Sequence, residues 1–418
     1  MRIWENFCNF APMNFEYYVA KRLIKHKDKN FTRPIIRIAQ ITIMLSVAVM
    51  LISVSVLQGF KKEIKSKIAG FSSHIQITQY STNAVLEDNS LMSLSSLEKQ
   101  QILDNKNVKT LYPVFSRGGV LINKEDFQGV ICKGVDSSYD KTFFVENIVE
   151  GKFPKLKKES KQEILVSKTI KDKLKIKLND KIKIYFYVNN SYRAKNFYVS
   201  GVYDTGLGEY DENFLVCDMS VLKNIFSVED DVFSCYEVML KDFSSLRKAS
   251  QEIYYTIGQD KSIMPITDLE PNLFSWLNLL DSNVVMIILV MILVSVVTLS
   301  SIMLIMIFEK KKMIGVLKSF GTKNASIIKI FLYKIGYVIL YGILLGNVFA
   351  IGLELIQKYF HIISLDKASY YLSTVPININ ILHILLINMG VFVVCLICLL
   401  LPARSINKIN PVKNLSFD

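Results

Sequence analysis

Histidine is scarce in this 418-residue chain. His26, His74, His361 and His383 are all there are, and none falls at the spacing of an H-E-x-x-H or other paired zinc set. No serine sits in a G-x-S-x-G elbow. Residues 315–323, GVLKSFGTK, come nearest to a phosphate loop. Five residues separate the two glycines where four are needed, and Thr precedes Lys instead of following it. These gaps exclude zinc hydrolysis, serine hydrolysis and nucleotide hydrolysis by this chain, and no cofactor or metal is expected on it. Cysteine is also sparse. Cys132, Cys217 and Cys235 allow at most one disulfide between them, so a fold stapled by several bridges is excluded. Cys395 and Cys398 form a C-x-x-C, but within an apolar run that offers no further ligand, and they read as small packing residues. The acids Asp204, Glu209, Asp211 and Glu212 lack the calcium-loop pattern and read as solvated turn residues. Residues 1–29 hold no apolar core of a cleavable signal.

What is present is apolar length. Residues 38–57, 284–308, 335–356 and 381–401 each reach the roughly 20 residues that cross a hydrocarbon core. The mean hydropathy of +0.30 agrees with a chain partly in lipid. Charge is distributed around these runs with a clear bias. Residues 1–37 carry eight basic against three acidic side chains, residues 309–334 seven against one, and residues 402–418 three against one. Residues 59–283 hold 30 of each. The formal net charge of +13 therefore belongs to the two ends and one short loop. Positive segments stay in the cytoplasm, so both termini are expected there, with the large insert on the other side. The same count removes nucleic acid as a partner, because the excess follows topology and forms no basic face.

The fold class expected is a membrane protein with four transmembrane α-helices and a large α+β extracytoplasmic domain inserted between spans one and two. The segments are 1–37, an amphipathic cytoplasmic end; 38–57, the first span; 58–283, the large domain with a stalk helix at each end; and 284–308, the second span. A cytoplasmic loop follows at 309–334, then the third span at 335–356, a short outer connection at 357–380, the fourth span at 381–401 and a tail at 402–418. Within the large domain, period-two alternation at 181–188 predicts a strand. Residues 74–80, 119–122, 128–135, 163–166, 196–203 and 213–217 also read as strands. Residues 57–71, 96–104, 167–174 and 262–283 read as helix, and 204–211 as a turn. In the loop after the second span, Met313, Ile314, Val316, Leu317 and Phe320 recur at helical spacing beside Lys311, Lys312 and Lys318. That is a short amphipathic helix, suited either to lipid headgroups or to a groove on a cytoplasmic partner. Lys329 and Lys334, at the start of the third span, are expected to snorkel toward headgroups.

Six segments then fall in order: FEYYVAKRLIK at 15–25, SVLQGFKKEI at 55–64, EILVSKTIKDKLKIKLNDKIKIYF at 163–186, GVYDTGLGEYDENFLVCDMSVLKNIF at 201–226, EKKKMIGVLKSFGTKNASIIKIFL at 309–332 and PARSINKINPVKNLSFD at 402–418. Together with the topology they resemble permease subunits of lipoprotein-releasing ABC transporters, the LolC/LolE type, within the MacB/FtsX-like superfamily. The resemblance implies a multi-pass protein of the bacterial inner membrane, itself non-catalytic. Its implied partners are a separate cytoplasmic ABC ATPase that binds ATP and Mg, a second permease, membrane lipids, lipoproteins and a soluble periplasmic lipoprotein carrier. The 311–320 helix would dock on the ATPase. Met44, Val47, Met50, Leu51 and Val54 of the first span, with Met286, Leu289, Leu293 and Val297 of the second, would line a cavity for acyl chains. Asp204, Leu207, Glu209, Tyr210 and Asp211 would meet the carrier. The alternatives are a MacB-like exporter of peptides or small molecules and an FtsX-like subunit that signals to a cell-wall hydrolase.

Overall fold

The computed structural model describes residues 15–25, 32–80, 91–123, 126–156, 162–257 and 260–408. Residues 1–14 and 26–31 of the N-terminal segment, and 409–418 of the tail, lie outside the described residues. The chain divides into two units. A helical unit takes residues 1–60, 278–363 and 375–418, and an α+β unit takes residues 61–277 and 364–374.

The first unit holds α1 (Phe15–Lys25), α2 (Thr32–Ser72) up to residue 60, α3 (Pro271–Glu309) from residue 278, α4 (Lys311–Ser319), α5 (Asn324–Phe360) and α6 (Ile381–Cys398). Of these α2, α3, α5 and α6 belong to helices long and apolar enough to cross a membrane, with mean hydropathies of 2.0 to 3.0. At 41 residues, α2 measures about 60 Å, twice a hydrocarbon core. The helix expected over 57–71 is therefore its continuation. Tyr17 of α1 meets Tyr333 of α5 edge to face at 6.1 Å, and Ala20 is buried there.

Two glycines let α2 and α5 touch closely. A Cβ on Gly342 would lie 2.8 Å from Cβ of Ile43, and one on Gly346 would lie 2.9 Å from both the Met44 carbonyl and Val47 Cβ. Small residues serve this purpose between helices in lipid, where packing replaces the hydrophobic drive. Gly346→Ala is expected to cost about 1–3 kcal/mol, because backbone must move to admit the methyl. Gly352→Ala, on the same helix with nothing within 4 Å, should be neutral or slightly stabilising through helix propensity. Thermal unfolding of the two variants in detergent checks the pair; equal loss in both would contradict the close approach. On α5 and α6, Asn347 and Asn388 exchange amide hydrogen bonds of 3.2 and 3.0 Å. Lys329 is exposed. Lys334 is buried instead, because it lies on the face of α5 turned into the bundle.

Among the described residues the α+β unit has ten strands: β1 (Ile75–Gln79), β2 (Val108–Asn123), β3 (Asp126–Val135), β4 (Ile148–Gly151), β5 (Glu163–Ser167), β6 (Lys181–Val188), β7 (Ser191–Tyr203), β8 (Phe214–Asp218), β9 (Cys235–Leu240) and β10 (Lys261–Pro265). Their order is β10-β1-β9-β2-β3-β8-β5-β7-β4, with β6 joined to β2 and β7. The β3–β8 and β5–β7 pairs are parallel. The long β2 serves two partners in turn. Its first half, through Val114, pairs with β9, and its second half, from Phe115, pairs with β3. In β6 the alternation reads directly as burial: Ile182, Ile184, Phe186 and Val188 face inward.

Three expectations change. Residues 262–265 are not helix: Lys261–Pro265 is strand β10, laid antiparallel on β1; a short helix follows at Ile266–Leu269, and α3 starts at Pro271, where a proline fits a first turn. Residues 204–211 are more than a turn, because Gly208–Asn213 is a short helix. Strands β4 and β9 have no counterpart among the expected elements. The cysteines Cys132, Cys217 and Cys235 are buried and free.

Candidate functional site

Helix α4 forms where the amphipathic loop predicts it, and Gly321, at φ +82°, ends it in a conformation that glycine adopts without strain. Its apolar stripe is divided between two environments. Ile314 is fully buried, and Met313 and Leu317 pack against the same core of the helical unit. Val316 and Phe320 point away, 40% and 82% exposed. Lys318 donates to the Ile406 carbonyl at 2.8 Å, Lys311 stands 5.7 Å above the Phe308 ring, and Lys312 is exposed. The stripe is therefore mainly an internal contact. What remains outward is Val316, Phe320 and the two lysines.

The candidate cavity residues also separate. Val47, Met50 and Leu51 are buried in the core of the helical unit, with Val47 against Gly346; Met44 and Val54 are half-buried. Met286, Leu289, Leu293 and Val297 are all exposed on α3. The α3 set is an open apolar face, and three of the α2 residues are packing.

The 204–211 segment is folded into the α+β unit by its own polar groups. Thr205 Oγ1 and the Gly206 N–H both donate to the Asp211 carboxylate, at 2.7 and 2.9 Å. Asp204 pairs with Lys367 at 2.9 Å. The Lys67 ammonium donates to the carbonyls of Thr205 and Tyr371, so residues 364–374 are tied onto this turn. Tyr210 donates to Glu270 at 2.7 Å. Leu207 and Asp211 are buried, which removes them as surface contacts for a carrier. Asp204 and Tyr210 are partly covered, and only Glu209 of the five is exposed. Asp211 is thus not a solvated acid.

Burial raises the Asp211 carboxyl to about 6, against the opposing pull of its two hydrogen bonds. Burial lowers His74 to about 4, where its Nδ1 accepts from the Leu240 N–H at 3.2 Å. The two groups act on stability with opposite signs. A carboxyl raised in the fold favours the folded state at low pH, and that advantage is lost as pH climbs from about 4 through 6. A histidine depressed in the fold favours the folded state above its unfolded value near 6.5, and that advantage is lost as pH falls toward 4. Each is worth roughly 3 kcal/mol at full titration. Relative to the native chain, Asp211→Asn should gain stability as pH rises from 4 to 6. His74→Gln should gain as pH falls over the same window. Melting curves at four pH values read both, and parallel curves for all three proteins would refute the assignment.

Comparison with known proteins agrees with the order of these elements. The family model of the MacB-like periplasmic core domain matches residues 38–254, and that of the FtsX-like permease C-terminal region matches residues 285–411. The lipoprotein-releasing system transmembrane protein LolC of Xylella fastidiosa (strain 9a5c) is 21% identical, over 98% of this chain and 100% of its own length. The corresponding LolE of Haemophilus influenzae is 22% identical, over 97% and 100%. An uncharacterized ABC transporter permease of Methanocaldococcus jannaschii is 28% identical over 57% of this chain and 58% of its own length. The core-domain match takes in more than half of the chain, and the permease match takes in α4, α5 and α6. With these two matches, and four long apolar helices and a ten-stranded sheet among the described residues, the protein belongs to the MacB/FtsX-like family of ABC transporter permeases.

Proposed function

We propose that this chain is the permease subunit of an ABC transporter that extracts lipoproteins from the bacterial inner membrane and passes them to a soluble periplasmic carrier. The observation that carries this reading is the end-to-end similarity to LolC and LolE proteins, whose own length is covered in full. On this reading ATP and Mg are held by a separate cytoplasmic ABC ATPase, and a second permease pairs with this one. Val316 and Phe320, flanked by Lys311 and Lys312, engage the ATPase. The exposed α3 face of Met286, Leu289, Leu293 and Val297 meets acyl chains or the paired permease, and Glu209 is what remains of the carrier contact. Both termini lie in the cytoplasm. A tag after Ser81 should then be reachable from the periplasm and one after Asp418 only from the cytoplasm; the reverse labelling would overturn the orientation. The match to a MacB-like core domain supports a second reading, export of peptides or small molecules.

Gentle purification from native membranes tests the proposal. An ATPase with acylated lipoproteins, released by ATP and a periplasmic carrier, is the expected outcome. An ATPase with an outer-membrane channel or a cell-wall hydrolase and no lipoprotein would favour export or signalling. Recovery without any ATPase would overturn the reading at its centre.

A further inference from the structure

The α+β unit holds a cavity of about 160 Å³. Its walls are the rings of Tyr210, Trp276 and Tyr371, and the carboxylates of Glu209 and Glu270 open onto it above Leu207. Trp276 and Tyr371 stand edge to face, with centroids 6.4 Å apart. The Tyr210 hydroxyl, 2.7 Å from Glu270, fixes that carboxylate. No lysine or arginine lines the space among the described residues. We infer that this cavity binds an organic ammonium group.

The rings of Tyr210, Trp276 and Tyr371 line the space, aromatic rings attract a cation through their quadrupoles, and two carboxylates supply opposite charge. The negative field is felt by the wall itself. The Tyr371 hydroxyl is pushed above its ordinary value by burial first, then by Glu209 and Glu270. Size narrows the ligand further. Drug-sized molecules occupy pockets from about 300 Å³, whereas this space suits a methylated or primary ammonium with a few carbons. Trp276 lies on α3 eight residues before the apolar run that opens at Val284, roughly 12 Å along the helix. That nearness along the helix favours the ethanolamine headgroup of a lipid as the source, over a lysine side chain of a protein.

Trp276 is itself the probe. The sequence holds one other tryptophan, Trp4, so the full chain with Trp4→Phe reports on the cavity alone. Titration in non-ionic detergent with tetramethylammonium, ethanolamine and N-acetyl-lysine amide, against sodium chloride at equal ionic strength, should quench Trp276 saturably with the three amines only. Glu270→Gln should weaken binding roughly tenfold. Glu209→Gln, at an exposed position that the fold does not need, should weaken it severalfold and guards against misfolding of the first variant. Absence of saturable quenching, or equal quenching in both variants and the parent, would overturn the site. In bilayers, loss of the tetramethylammonium response when phosphatidylethanolamine replaces phosphatidylglycerol would assign the lipid source. A response unchanged by that exchange, with lysine amide still binding, would assign the protein source.

Discussion

Lys133→Met is expected to destabilise the α+β unit by about 3–5 kcal/mol, out of a total stability on the order of 5–15 kcal/mol. Lys133 of β3 and Glu237 of β9 reach over the intervening β2 to pair at 2.7 Å, each about 2–3% exposed. The Lys133 ammonium also donates to the Phe71 carbonyl at the end of α2 and, at 3.0 Å, to the Tyr139 hydroxyl. Ser73 donates to the far oxygen of Glu237 at 3.3 Å. Removing the lysine leaves a carboxylate in a dry interior with weak neutral donors, which accounts for the size of the loss. The double variant Lys133→Met with Glu237→Leu removes both charges. It should recover most of that loss, retaining about 1–3 kcal/mol for the Phe71 carbonyl and the hydroxyls left without partners. Denaturant unfolding of the two single variants and the double closes the cycle. Additive losses would show that the pair is two independent contacts. Phe71 itself stands in a cluster with Phe144, Tyr210 and Phe214, so the end of α2 is held by rings as well as by charge.

The second large effect is expected on association. If α4 docks on an ATPase, Phe320→Asp removes an outward aromatic anchor and places a carboxylate in an apolar groove. Loss of a buried phenylalanine side chain is worth about 1.5–3 kcal/mol, and a central anchor can exceed 2 kcal/mol, so affinity for the ATPase should fall roughly 30-fold or more. The melting temperature of the variant should not change, because Phe320 touches solvent. Leu317→Asp behaves differently. Leu317 packs against the helical core, so that change should lower stability and association together. Co-purification and thermal unfolding measured side by side distinguish the two. Native levels of ATPase with Phe320→Asp would remove α4 as the docking element.

The division of α4 shows what periodicity can and cannot convey. Spacing at 313, 314, 316, 317 and 320 predicts an apolar stripe, and the helix has one. It cannot say that the first part of the stripe meets the protein's own core and only its end looks outward. Strand β6 was legible because one face is wet and the other dry. In β9, CYEVML, nearly every residue is buried, so the alternation that marks a strand disappears. β10 was masked by Pro265 and by the helix that follows. Asp211 looks like any loop acid until Thr205 and Gly206 close over it, a contact made by backbone turning that no residue count reveals. The cavity around Trp276 needed Tyr371, more than ninety positions later in sequence. The four long apolar helices needed only length and hydropathy.

The α+β unit is made of two pieces of chain, 61–277 and 364–374, and this gives its assembly a clock. About 90 residues of helix separate the pieces. At synthesis rates on the order of 5–20 residues per second, the second arrives roughly 5–20 s after the first is complete. Until then Asp204 waits for Lys367, Lys67 has one of its two carbonyls, and the ring of Tyr371 is missing from the cavity wall. The sheet can pair in that interval and Thr205 and Gly206 can close on Asp211, but the turn at 204–211 gains Lys367 and its tie to Tyr371 only after all of α5 has been made. Completion of the unit is thereby tied to the presence of the third apolar helix, so a chain halted before it would carry a folded sheet with an open corner.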